Sequence, residues 1–176
     1  MLLFLSSSAR VSLRRLLAKG ITAILLSALI FSPVTAEDGV EQAQDFAAWV
    51  YEAYQMQDFA AVYSRMHPTL HEVMSLDVYE SFQRENTKRY QLEILDSKVG
   101  VVRRLEEVPR PFAAYLNEST NDLLVYAVEV DYTYRFRFLG RQHEREIHKD
   151  VIVARSVGED EFYLLWDPEV IDTEEP

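Results

Sequence analysis

The fold of this chain is decided by residues 126–138, which read YAVEVDYTYRFRF. Aromatic or aliphatic side chains occupy every second position from Tyr126 to Phe138, and mostly polar or charged side chains lie between them. Successive side chains of a β-strand point to opposite faces of a sheet. The alternation therefore predicts a long strand with one apolar face and one face in water.

The sequence that follows this strand predicts a β-hairpin. Leu139 and Gly140 form the expected two-residue turn, and residues 142–155 return as the partner strand. A bulge at the turn is the alternative, but a slip of one residue would move every side chain to the other face and place charges against the aromatic rings. The two-residue turn predicts these pairs: Tyr126 with Val153, Val128 with Val151, Tyr132 with Ile147, Arg135 with Glu144, Asp131 with His148 and, unfavourably, Glu129 with Asp150.

The preferred register predicts a binding surface on the aromatic face of the hairpin. Residues 135–149 contain five basic and two acidic side chains in an otherwise acidic chain. A basic cluster beside aromatic rings can bind an anionic or aromatic small molecule. Alternatively, the long basic side chains extend into solvent or pair with acidic residues of a second copy in a homodimer. The predicted ligand-binding residues are Tyr132, Tyr134, Phe136, His143, Arg145 and Lys149.

Three helices are predicted ahead of the sheet. The first starts with a capping box at Asp38, the second starts at Asp58, and the third spans residues 76–90 with Ser75 as its cap. Helices followed by a meander of strands predict an α+β fold. We expect the N-terminal helices to pack in the concave face of a curved antiparallel sheet of about four to five strands. The inward side of the third helix is predicted to carry Leu76, Tyr79 and Phe82.

The order of these elements resembles the nuclear-transport-factor-two-like superfamily. The resemblance is carried by residues 58–63 (DFAAVY), the Met66-His67-Pro68 break, the helix from Ser75 to Phe82 and the closing strands. Residues 166–171 (WDPEVI) are similar to the end of the domain that precedes some penicillin-binding transpeptidases. The resemblance implies a single cone-shaped domain over residues 37–176 with a pocket between helices and sheet.

Ketosteroid isomerases and polyketide cyclases share that fold, and such chemistry needs a carboxylate as general base. The aromatic face of residues 126–138 offers tyrosines but no acid, and Asp77 and Asp96 lie in contexts that do not indicate burial. The sequence therefore favours a non-catalytic ligand-binding or accessory domain. A small pocket enzyme of the isomerase or cyclase kind is one alternative, and a homodimeric protein-interaction module is another.

The N-terminal residues predict export. A basic stretch ending at Lys19 precedes the apolar run 21–31, and small residues follow up to Ala36, as in a cleavable signal peptide of residues 1–36. A retained membrane anchor is less favoured because the run is shorter than the ~20 residues that span a bilayer. The chain has no cysteine, which excludes disulfides and a lipid anchor on cysteine. We expect a periplasmic or secreted bacterial protein without stable membrane insertion after cleavage.

Charge and composition narrow the partners further. The whole chain carries a net charge of -11, and the part after residue 36 is more acidic still, so phosphate repulsion argues against nucleic acid as a partner. His67 and His71 have the four-residue spacing of helical metal ligands, but Pro68 interrupts the helix and no further histidine or cysteine lies nearby in sequence. No metal and no cofactor is therefore predicted.

Overall fold

The computed structural model describes residues 36–116 and 122–172. Apart from Ala36, the signal peptide predicted over residues 1–36 lies outside these residues. The described residues form helices that pack against a curved four-stranded antiparallel sheet, which confirms the predicted α+β class.

Within the part of the chain that the structure describes, four helices precede the sheet, and the side chains at their starts explain where most of them begin. The Asp58 side chain accepts a hydrogen bond from the Ala61 amide, and Ser75 does the same for Val78, so both predicted caps are confirmed. The cap predicted at Asp38 is wrong, because the first helix already includes Ala36 and Asp38 lies inside it. The helices are α1 (Ala36–Gln55), α2 (Phe59–Ser64), α3 (Pro68–Val73) and α4 (Leu76–Tyr90).

The sheet is a meander in which sequence neighbours pair. Its strands are β1 (Glu93–Leu105), β2 (Leu123–Phe138), β3 (Arg141–Ser156) and β4 (Tyr163–Leu165), in the order β1-β2-β3-β4. A short helix, α5 (Arg110–Leu116), lies between β1 and β2, and α6 (Glu169–Asp172) follows β4.

The register of β2 on β3 is the one predicted from the two-residue turn. Tyr126 faces Val153 and Tyr132 faces Ile147. Leu139 and Gly140 both have positive φ, at 49° and 76°, as a type I′ turn requires. Register irregularities occur instead between β1 and β2, near residues 94–96 and 99–102.

The core lies where α1, α2 and α4 meet the inner face of the sheet. Along α1, Ala43, Ala47 and Val50 are buried, and Gly39 lies so close to β2 and β3 that an added Cβ would be 2.8 Å from the Tyr126 hydroxyl. Tyr79 of α4 is buried as predicted, and Phe82 is half-buried. Leu76 was predicted to point inward, but it lies at the first turn of α4 and is 36% exposed.

Candidate functional site

A cavity of about 780 Å³ opens between the helices and the inner face of the β2–β3 hairpin. Its walls come from α1, α2, α4, α5, all four strands and the segment after β4, and most of the side chains are aromatic or aliphatic. A concave, mainly apolar site of this volume with a few polar groups is typical of small-molecule binding. The aromatic residues of its wall are Tyr51, Tyr54, Phe59, Phe82, Tyr90, Phe112, Tyr132, Tyr134, Phe136, Phe138 and Trp166.

The alternation of β2 builds one wall of the cavity. Tyr132, Tyr134 and Phe136 lie in sequence along the inner face, with ring centroids 6.3 Å and 5.2 Å apart. Tyr51 of α1 packs on the Tyr132 ring at 5.1 Å and thereby joins the helix to the strand. These rings form a continuous apolar surface that extends from the core to the end of the hairpin.

Lys149 of β3 carries the positive charge of this wall. Its Nζ lies 5.6 Å from the centroid of the Tyr132 ring and 5.8 Å from that of Tyr51, within the range of cation–π contact. No carboxylate of the described residues forms an ion pair with it. The residue as a whole is exposed, yet the rings desolvate the ammonium and so lower the pKa of Lys149.

Tyr54 of the cavity wall forms a hydroxyl pair with Tyr79 of α4, which is buried and does not line the cavity. Their Oη atoms are 2.9 Å apart, and Trp166 packs edge-on against the Tyr79 ring at 5.4 Å. Burial raises the pKa of Tyr54 to about 12 and raises that of Tyr79 further. Both hydroxyls therefore stay protonated at neutral pH.

The acidic residues along the cavity wall already have partners. Asp150 contributes to the wall from β3, but its carboxylate lies on the outer face of the sheet, 2.7 Å from Arg103 Nη2, and that of Glu93 lies 3.2 Å from Arg135 Nη1. Asp167 Oδ1 accepts a hydrogen bond from the Glu169 amide at 3.0 Å. Among the described residues of this wall, Lys149 is therefore the cation that remains available to an incoming anion.

The structure brings together four of the six predicted ligand-binding residues. Tyr132, Tyr134, Phe136 and Lys149 all line the cavity. His143 and Arg145 are exposed and do not line it, although their partners in the register, Phe136 and Tyr134, do. His143 stacks on the Phe136 ring at 5.4 Å, so it lies one side chain away from the cavity.

Sequence reasoning missed the helical half of the site. Tyr51, Tyr54 and Phe82 line the cavity, and of these only Phe82 was placed from the sequence, on the inward side of its helix. Asp77 and Asp96, considered as general bases, do not line it; Asp96 accepts a hydrogen bond from the Thr133 amide at 3.2 Å.

The outer face of the sheet is charged. Arg103 of β1 reaches both Asp150, at 2.7 Å, and Glu129, at 3.9 Å, and so separates the two acids that the register places opposite each other. His148 and Asp131 approach to 2.6 Å on the same face. No group of three or more potential metal ligands occurs among the residues that the structure describes, His67 and His71 included.

No family model, curated protein or solved structure matches this chain. The resemblance to the nuclear-transport-factor-two-like superfamily therefore stays a prediction. Within residues 36–116 and 122–172, no helix is long and apolar enough to cross a bilayer.

Proposed function

We propose that this chain is an exported, non-catalytic binding domain whose cavity takes an aromatic or amphipathic small molecule that carries an anionic group. The observation that carries the proposal is Lys149, whose ammonium lies in the wall of an aromatic cavity and pairs with no carboxylate of the described residues. An anion placed beside it would form a charge-assisted contact in a poorly hydrated site, where such contacts are strong.

The shape of the site supports a ligand with two unlike parts. The rings of Tyr51, Tyr132 and Tyr134 offer a flat apolar surface for a ring or chain, and Lys149 lies at one side of that surface. The bound anion would also restore the ordinary pKa of Lys149, because an opposite charge favours the protonated amine.

Export to the periplasm or the outside of a bacterial cell is part of the proposal. It rests on the basic stretch, the apolar run and the small residues that follow one another within residues 1–36. A cone-shaped fold of the nuclear-transport-factor-two-like kind is also proposed, since helices against a curved sheet around a cavity are what that superfamily has. The pocket enzyme and the homodimeric module stay alternative predictions.

The test uses two fluorescent probes that differ in charge. 1-Anilinonaphthalene-8-sulfonate is an aromatic anion, and N-phenyl-1-naphthylamine is its uncharged relative. We expect both probes to bind the cavity. Lys149→Met should lower the affinity for the anionic probe by roughly tenfold or more, because one charge-assisted contact is lost. The neutral probe should bind the variant as well as it binds the unchanged protein.

Lys98→Met is the matched control, because Lys98 is an exposed lysine of β1 that does not line the cavity. It should leave the affinity for both probes unchanged, and neither substitution should lower the melting temperature. Binding of neither probe would overturn the proposed function. Equal loss of both probes in Lys149→Met would mean that Lys149 shapes the cavity rather than pairs with an anion.

A further inference from the structure

We propose that the rim of the cavity, where the C-terminus of α4 meets the tip of the β2–β3 hairpin, docks on an anionic lipid bilayer. This rim has three exposed apolar residues, Tyr90, Phe138 and Leu139, within a group of five exposed cations. The cations are Lys88, Arg89, Arg137, Arg141 and Arg145. We call these eight residues the basic rim.

The C-terminus of α4 and the tip of the β2–β3 hairpin together form the surface of the basic rim. Arg137, near the end of β2, donates a hydrogen bond to the Gln91 side chain just after α4, at 3.4 Å. Tyr90 and Phe138 both line the cavity and are also exposed, so they stand at its mouth. A membrane bound at the rim would therefore face the cavity entrance.

The tip of the hairpin carries a leucine that the fold does not need there. Leu139 is 85% exposed and has a φ of 49°, a conformation that a bulky side chain adopts at a cost. Asparagine or glycine would suit this turn position better. Phe138 beside it is 56% exposed, so the tip presents two large apolar side chains to whatever the hairpin meets.

The cations of the rim are not neutralised within the described residues. None of the five forms an ion pair there, and the carboxylates of Glu93 and Glu144 are both held by Arg135. The chain as a whole carries -11, whereas residues 135–149 hold five basic and two acidic side chains, so positive charge is concentrated near this rim. An anionic surface would attract the rim and repel the rest of the molecule, which fixes the orientation.

Apolar insertion and basic attraction are the two contributions that together hold a peripheral protein on a membrane. A second turn of the sheet provides an internal comparison. Val157, next to Gly158, is also an exposed apolar side chain, at 61%, but acidic residues follow it at positions 159–161. Only the basic rim combines an exposed apolar tip with positive charge among the described turns of the sheet.

The experiment is co-sedimentation of the protein, recovered after expression of the full chain, with vesicles of phosphatidylcholine alone or mixed with phosphatidylglycerol. We expect binding to the mixed vesicles at low ionic strength, weaker binding at high ionic strength, and little binding to phosphatidylcholine. The double substitution Arg141→Gln with Arg145→Gln should weaken binding roughly thirtyfold, from about one surface charge contribution per arginine. Leu139→Ser should weaken it at every ionic strength.

Val157→Ser is the matched control and should bind like the unchanged protein. Every substituted position is exposed, so circular dichroism should report the same fold for all variants. Equal binding to both vesicle types, or the same loss in Val157→Ser as in Leu139→Ser, would overturn the proposal. Absence of binding to the mixed vesicles at low ionic strength would overturn it too. None of these outcomes depends on whether the cavity holds a ligand.

Discussion

Lys149 is a residue whose position in the site could be predicted only in part from the sequence. The alternation of β2 and the turn at Leu139–Gly140 put it on the aromatic face, and the structure finds it beside Tyr132. Its second ring, from Tyr51, lies nearly one hundred positions earlier in the chain. Periodicity within a strand carries no information about which helical side chain will pack across from it, so this half of the site was not predictable.

His67 is a second residue whose environment depends on tertiary packing. It is only 8% exposed, caps α3, and its Nδ1 lies 2.8 Å from Thr69 Oγ1. Burial, and then the neighbouring His71, lower the pKa of His67 below its ordinary value. The unfolded chain therefore binds a proton at about pH 6.5, where the folded protein does not.

We predict that His67 makes the protein less stable in mild acid. Its contribution is complete above about pH 6.5 and is lost as the pH falls below that value toward the pKa of the folded state. Denaturant midpoints measured from about pH 7 to about pH 5 should fall less steeply for His67→Gln than for the unchanged protein. Equal slopes would contradict the prediction.

His148 provides a control, because its pKa is shifted in the opposite direction to that of His67. Its hydrogen bond to Asp131 raises the pKa of His148, so its contribution is present below about pH 6.5 and is lost as the pH rises through the folded-state pKa. His148→Gln should therefore make the midpoints fall more steeply in acid. If both substitutions changed the slope of the midpoint against pH in the same direction, a group other than these two histidines would dominate the pH dependence of stability.

The hairpin is the element that the sequence predicted most completely. Strict alternation set the face of each side chain, and the turn set the register, because a slip would have exposed the whole aromatic row. One pair looked unfavourable, Glu129 opposite Asp150. Arg103 of β1 lies between them in the structure, and no rule confined to one hairpin could supply a third strand.

The conformation of the turn predicts that a substitution at Leu139 can stabilise the protein and at the same time weaken its binding to membranes. Leu139→Asn should stabilise the protein by about 0.5–1 kcal/mol, because asparagine adopts positive φ in a type I′ turn more readily than leucine does. The same substitution should weaken binding to anionic vesicles, since it removes the apolar tip. Thermal denaturation and co-sedimentation measure the two effects.

Leu139→Ser separates the two effects. Serine also removes the apolar tip but lacks the turn preference of asparagine, so it should lose vesicle binding with little gain in stability. If Leu139→Asn were no more stable than the unchanged protein, leucine would not destabilise this turn. The turn conformation would then no longer support a functional role for the apolar tip.

At the scale of the whole molecule, charge and cavity are arranged together. The described residues place an aromatic cavity between helices and sheet, and the unpaired cations of the basic rim lie at its mouth. The overall acidity follows from the composition, and the basic segment 135–149 is visible in the local sequence. That Lys88 and Arg89 of α4 join this segment depends on the docking of α4 beside the hairpin, which no local pattern specifies.

The central claim is that the cavity holds a small molecule through Lys149 and the aromatic wall. Native mass spectrometry of the protein purified from its own host tests it most directly. The account predicts one bound small molecule whose mass is lost on denaturation, and lower occupancy in Lys149→Met than in Lys98→Met. A ligand-free mass in the unchanged protein, or equal occupancy in the two variants, would contradict the claim.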